Sequence, residues 1–314
     1  MLSRRDFMFG CGSTAAFLAG CLSKRGVRGL SPRQYRLALS VGAERPFRVL
    51  HASDTHISLM NDFDRQDLTR AHYERMRTEC FESHAAEYLV GTFEYAREKG
   101  MPLLHTGDLI DYIGHANLAE AKRAFEGTDA MACPGNHEWE YHLSLQDPPV
   151  MRPKYYEAVS YAYPNDLTVA SRIINGVNFV LLDNADYQVP PDRATLVEKE
   201  FAKGLPCVLC CHIPFETPDL REAVFRVWNC RKANRTGSCC QPDDCFTDIN
   251  KSNHLEKATK DTWDFLAWLK SRPNAKAVLA GHHHFQFKTM LTDSLPECVA
   301  GGNYKGDCTE ITFD

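Results

Sequence analysis

The chain has 314 residues, more than most single domains, though one large domain can reach that length; 44% are hydrophobic and 25% charged, the balance of a globular protein with a sizeable core. Its formal charge is −5, with no basic stripe. That argues against general nucleic-acid binding, which needs clustered Lys and Arg, while a buried metal centre would still attract an acidic small molecule.

In chain order, residues 1–20 do not read as fold. Ser3-Arg4-Arg5-Asp6-Phe7-Met8 sets two adjacent arginines before a weakly apolar stretch, Phe7 to Gly20, too short to span a bilayer. This resembles a twin-arginine export signal. Leu18-Ala19-Gly20-Cys21 resembles a bacterial lipobox, in which the cysteine carries lipid. The expected location is the bacterial cell envelope, as a periplasmic or surface lipoprotein touching the membrane through lipid on Cys21. Residues 21–45 are basic and without periodicity, which suits a tether and leaves 46–314 as one domain.

Phe47 to Ala52 is a short apolar run read as a strand. Leu68 to Lys99 has helical periodicity and stops at Gly100. Pro102 to His105 is a strand, Leu118 to Phe125 a helix, and Met131 to Cys133 the end of another strand. Asn175-Gly176 predicts a hairpin turn between apolar flanks. Val208 to Cys211 and Ala277 to Ala280 are strands, Asp261 to Leu269 is a helix, and Cys298 to Phe313 reads as a closing hairpin. Five of these strands are followed at once by Asp, Asn or His. In α/β sheets, ligands gather outside the carboxyl ends of strands, so residues distant in sequence can meet there.

The five fragments are Asp54-Thr55-His56, Gly107-Asp108-Leu109-Ile110-Asp111, Gly135-Asn136-His137-Glu138, His212, and Gly281-His282-His283-His284. Imidazole and carboxylate donors without thiolates suit Zn²⁺, Mn²⁺ or Fe²⁺. In this order they resemble the calcineurin-like metallophosphoesterase family over roughly residues 47–313. The resemblance implies an α/β fold of two face-to-face mixed β-sheets flanked by helices, an αββα sandwich. It also implies two divalent ions: Asp54, His56, Asp108 and His284 at the first, and Asn136, His212 and His282 with a shared Asp108 at the second. A hydroxide between the ions would attack a phosphate mono- or diester.

By the same resemblance His137 faces the substrate and assists the leaving oxygen, with Asp111 placed to hydrogen-bond it and keep it protonated. Asp111 stands where purple acid phosphatases carry an iron-binding Tyr, which argues against a ferric site. His51, His105 and His283 read as packing residues, Glu138 as a brace for its loop, and Asn303 with Tyr304 as a candidate substrate wall. The expected substrate is a small phosphorylated molecule. A nuclease or lipid-headgroup phosphoesterase is the second reading, and a metal-free scaffold the third, disfavoured because no ligand is missing. Substrate choice is assigned to loops Tyr141–Tyr163 and Phe215–Asn253.

Of 13 cysteines, Cys80, Cys133, Cys207, Cys210 and Cys211 lie in apolar segments and are expected to be buried. Cys230, Cys239, Cys240 and Cys245 lie in a polar stretch that suggests a disulfide-closed loop, with a zinc knuckle as the weaker rival, and Cys298 could pair with Cys308 across a hairpin.

Overall fold

In the computed structural model, which describes residues 29–66, 75–140, 148–229, 237–241 and 256–314, the apolar runs become strands of two sheets. The first contains β1 (Arg33–Leu39), β2 (Phe47–Ala52), β3 (Leu103–Thr106), β4 (Ala130–Cys133) and β11 (Asp307–Phe313), ordered β1-β11-β2-β3-β4. The second contains β5 (Val169–Ile174), β6 (Val177–Leu182), β7 (Cys207–Cys210), β8 (Ala275–Ala280), β9 (Phe287–Thr292) and β10 (Leu295–Val299), ordered β5-β6-β7-β8-β10-β9. Both mix parallel and antiparallel pairs.

The period of two along each strand sorts side chains into three layers. Val49, Leu104, Phe179, Leu181, Val208 and Leu279 meet between the sheets. Their neighbours Leu50 and Leu103 face α1 (Ala85–Lys99), α2 (His115–Phe125) and α3 (Pro148–Ala162). Val180, Leu209 and Val278 face α4 (Pro191–Phe201) and α6 (Lys260–Lys270). Strands apolar on both faces appear in the sequence as continuous apolar runs. The result is the αββα sandwich, with β2, β3, β4, β7 and β8 all ending at one rim. A further helix, α5 (Pro218–Trp228), packs Leu220 and Val224 beside Val299.

Several expectations need correction. The tether reading of 21–45 fails over Arg33–Leu39, which pairs in parallel with β11 along its whole length. Most of its side chains are exposed, as on an edge strand, so little alternation marks it. Cys298 to Phe313 is no hairpin: β10 lies in one sheet and β11 in the other. Cys298 and Cys308 are accordingly free thiols. Cys239 and Cys240 are also free and buried, their sulfurs 3.7 Å apart, so neither closes a disulfide; Cys230 and Cys245 lie outside the described residues, as do residues 1–28. Cys133, Cys207, Cys210 and Cys211 are buried, but Cys80 is exposed.

The helix read over 68–99 is interrupted. Helical residues 75–80 give way to a turn at 81–84, where Glu82 and Ser83 have φ of 59° and 60°, before α1 begins. Phe81 is held there by its ring, stacked 4.1 Å from that of His56, and a periodicity count cannot see such a contact. Conversely, α2 starts one turn earlier than read, because the distant Asp64 carboxylate accepts from the N–H groups of His115 and Ala116 at 3.0 Å. Parts of the two presumed substrate loops are helices α3 and α5.

Candidate metal centre

Five of the seven candidate ligands stand on left-handed backbone: Asp54 at φ 56°, His56 at 51°, Asp108 at 53°, His282 at 73° and His284 at 59°. Outside glycine such conformations cost about 1–3 kcal/mol each and persist where the surroundings over-determine them. Here the loops are stitched together. Asp54 N–H donates to Gly107 O (3.0 Å), His56 N–H to Asp108 O (2.9 Å) and Gly281 N–H to His212 O (3.0 Å). The His282 N–H is shared by both oxygens of Asp54, at 3.0 and 2.9 Å.

Glycine is required at this rim mainly for room. A Cβ on Gly135 would fall 2.1 Å from Asp108 Oδ1, and one on Gly281 would fall 1.8 Å from Ser53 Oγ. Glu138 braces more than its own loop. Its buried carboxylate accepts from the main-chain N–H of Asp108 (2.8 Å), Leu109 (2.8 Å), Ile110 (3.2 Å) and Gly135, and from Tyr163 Oη (2.6 Å). Burial and the Asp108 charge push its pKa up, yet five donors and no acceptor around it call for the carboxylate form.

The ligand atoms converge in two groups. In the first, His56 Nε2 lies 3.1 Å from His284 Nε2, and Asp54 Oδ1 lies 3.3 Å from the latter. In the second, His212 Nε2 lies 3.3 Å from His282 Nδ1 and 3.1 Å from Asp108 Oδ2. Asp108 Oδ2 is also 3.6 Å from His56 Nε2, so one carboxylate edge joins both groups. Asn136 Oδ1 is buried with no hydrogen-bond partner, an acceptor left over for a cation. Hard oxygens and imidazoles without sulfur fit divalent ions such as Mn, Fe or Zn.

At two of the histidines and both carboxylates the charges fit as well. Burial holds the His56 imidazole down at about 4 and His282 below its ordinary range, which keeps both neutral and able to ligate. For Asp108, burial opposes ionisation, but His212 and His137 outweigh it and hold the pKa well below the usual carboxylate range. Asp54 is likewise lowered against burial, by His284 and His212.

His137 lies where a substrate-facing residue should. Its N–H donates to Asp108 Oδ1 (2.9 Å), and its ring shares a cavity of about 360 Å³ with Asp108, His282 and His284. The predicted Asp111–His137 contact is different in kind. His137 Nδ1 donates to the main-chain carbonyl of Asp111 at 2.8 Å, and a carbonyl only accepts, so Nδ1 bears the proton. The Asp111 carboxylate lies 3.4 Å from His137 Nδ1 as an ion pair, while its hydrogen bonds go to His56 Nδ1–H at 3.0 Å and to Arg77, which clamps it through two 2.6 Å bonds. Glu140, at 3.3 Å, is a second carboxylate beside His137. Burial disfavours the imidazolium, but Glu140, Asp108 and Asp111 together raise it to about 9.

Of the remaining predicted residues, His51, His105 and His283 are buried and engage Thr106, Thr55 and Ser238, as packing residues do. Tyr304 lines the cavity, whereas Asn303 is a buried clamp between Thr55 and Thr92. Sequence reasoning missed Arg77, Glu140 and Trp228, which is 49% exposed at the cavity wall. It also missed Asn184 and Tyr187. Asp183-Asn184 directly follows β6, the same strand-then-polar signal that marked the other five loops.

Residues 47–286 match the family model described as calcineurin-like phosphoesterase. Similar solved structures include a dimetal phosphatase from Danio rerio, 14% identical with a TM-score of 0.44, over 82% of this chain and 88% of that one. A phosphopantetheinyl hydrolase from Mycobacterium tuberculosis is 15% identical with a TM-score of 0.37, over 82% and 90%. A 5'-nucleotidase from Candida albicans is 14% identical with a TM-score of 0.37, over 88% of this chain and 48% of that one. No curated protein sequence matches this chain.

Proposed function

Since this chain belongs to the calcineurin-like phosphoesterase family, we propose that its two ligand groups hold two divalent ions, Mn, Fe or Zn, and hydrolyse a mono- or diester of a small phosphorylated molecule. A metal-dependent phosphoester hydrolase is what the family match supports, and the single observation that carries the two-ion reading is the Asp108 edge shared by both groups. When bound, the ions supply Lewis acidity and lower the pKa of water. The chain's own residues do the rest. Asp108 holds His137 through its N–H, the Asp111 carbonyl fixes the ring, and Nε2, 4.0 Å from Asp108 Oδ2, is left facing the cavity to donate a proton to the leaving oxygen.

His137→Ala should therefore retain both ions and the fold but lose turnover by roughly 10²–10⁴-fold on alkyl phosphates, as removal of a general acid does. The loss should shrink for p-nitrophenyl esters, whose leaving oxygen needs little protonation. Metal analysis beside kcat/KM on the two substrate types checks this; loss of an ion, or equal loss on both substrates, would speak against proton donation.

The site is proposed to work outside the cytoplasm, on a membrane tethered through Cys21. What supports this is the Arg4-Arg5 pair and the Leu18-Ala19-Gly20-Cys21 sequence. Among the described residues no helix is long and apolar enough to cross a membrane. Cys21→Ser is expected to release the protein from sedimented membranes. If it still sediments after a high-salt wash, the lipid anchor is wrong.

A further inference from the structure

An imidazole that ligates through one nitrogen normally donates its other N–H to a fixed acceptor, which sets the tautomer and the ring direction. For His56 that acceptor is the Asp111 carboxylate, and for His212 it is the Thr106 carbonyl, 2.7 Å from Nδ1. The outward nitrogen of His282, Nε2, lies 3.2 Å from the hydroxyl of Tyr187, whose ring meets the imidazole edge-on at 5.6 Å and 84°. We propose that Tyr187 is the positioning residue for the second ion, holding His282 with Nδ1 bare towards His212 and Asp108, and that this ion is the weaker and more exchangeable of the two. The inference rests on the two-ion reading above.

Tyr187 is itself built in. Its backbone is left-handed, at φ 61°, its N–H donates to Asn184 O at 2.8 Å, and its carbonyl accepts from Cys239 Sγ at 3.2 Å. The Asn184 side chain reaches the other histidine of the same group: Oδ1 accepts from the N–H of His212 (3.1 Å) and Ile213 (3.0 Å), and Nδ2 donates to Ile213 O (2.7 Å). One short loop after β6 thus places both histidines of one ion, His212 through its main chain and His282 through its ring. The loop is anchored by the pairs Arg152–Asp183 (2.6 Å), part-buried, and Arg193–Asp186 (2.9 Å), buried.

The asymmetry follows from the acceptors. A carboxylate clamped by Arg77 raises the basicity of His56, and a neutral phenol gives His282 far less. The two ions would therefore be differently supported, in line with their ligands, since the first has the Asp54 carboxylate where the second has the neutral Asn136 amide.

The test is calorimetric titration of Mn²⁺ into the metal-stripped full chain. Wild type should take two ions in two steps of unequal affinity. Tyr187→Phe, which removes one oxygen, should weaken the weaker step by about 10–100-fold and leave the tighter one in place. Asp111→Asn should do the reverse. Gly237→Ala, whose Cβ would stand 3.1 Å from His282 Nε2, should repeat the Tyr187→Phe loss from the other side. If Tyr187→Phe weakens neither step, both equally, or only the tighter one, the assignment falls. Wild type that takes fewer than two ions overturns the two-ion reading, and this one with it.

Discussion

Asp108→Ala is expected to release both ions and to lower kcat/KM by at least about 10³-fold. Each ion supplies several kcal/mol of transition-state stabilisation, and 1.36 kcal/mol is a factor of ten in rate. The argument is geometric. Oδ2 is the atom that stands between His212 Nε2, at 3.1 Å, and His56 Nε2, at 3.6 Å, so its removal strips both groups at once. It also deletes the acceptor for the His137 N–H. Asp108→Asn keeps the shape and the His137 contact but not the charge, and should lose the ions with less damage to the fold. Elemental analysis beside steady-state rates decides it; an alanine variant that keeps two equivalents of metal would remove Asp108 from the shared position.

Glu138→Ala should be the most destabilising change at the rim, by about 3–5 kcal/mol. It strands five buried donors around a charge, and hydrogen bonds to a charged group are worth about 1.5–3 kcal/mol each, well short of additive. The cost reaches two loops at once, because the donors belong to residues 108–110 on one side and to Gly135 on the other. Glu138→Gln keeps one acceptor oxygen, so that either the Leu109, Ile110 and Tyr163 donors or the Asp108 and Gly135 donors stay satisfied, and it should lose less. Urea unfolding of the three proteins, each stripped of metal, measures the difference without any contribution from bound ions. An alanine variant within about 0.5 kcal/mol of wild type, the range of an ordinary surface substitution, would contradict the brace.

The chemistry of this chain was more legible than its wiring. Strands buried on both faces and cut off by Asp, Asn or His could be read directly, because burial forces apolar runs and the site needs polar residues where the runs stop. Partners that arrive from a distance could not. Asp64 extends α2 from 51 residues away, Arg77 reaches Asp111 across 34, and β10 and β11 part into separate sheets where local sequence suggested one hairpin. Asp111 shows the limit most clearly. Its place in the motif suggested a carboxylate hydrogen bond to His137, but the side chain bonds His56 and Arg77 and stands 3.4 Å from His137 Nδ1 as an ion pair, while the main-chain carbonyl of the same residue makes the hydrogen bond.

The left-handed backbone at Asp54, His56, Asp108, His282 and His284 sets function and robustness against each other. At each of these positions a glycine would sit more comfortably than the residue that is there, since it alone pays nothing sterically for positive φ. At Asp54 and Asp108 a glycine would also strand the main-chain N–H of His282 or His137, but at the three histidines a change to glycine would erase a ligand and relieve the backbone in one step. Mutational drift at those histidines without selection for turnover would therefore run towards a less strained and inert descendant. Screening variants of this enzyme for heat resistance alone should enrich such losses, so any effort to harden it has to score activity in the same round.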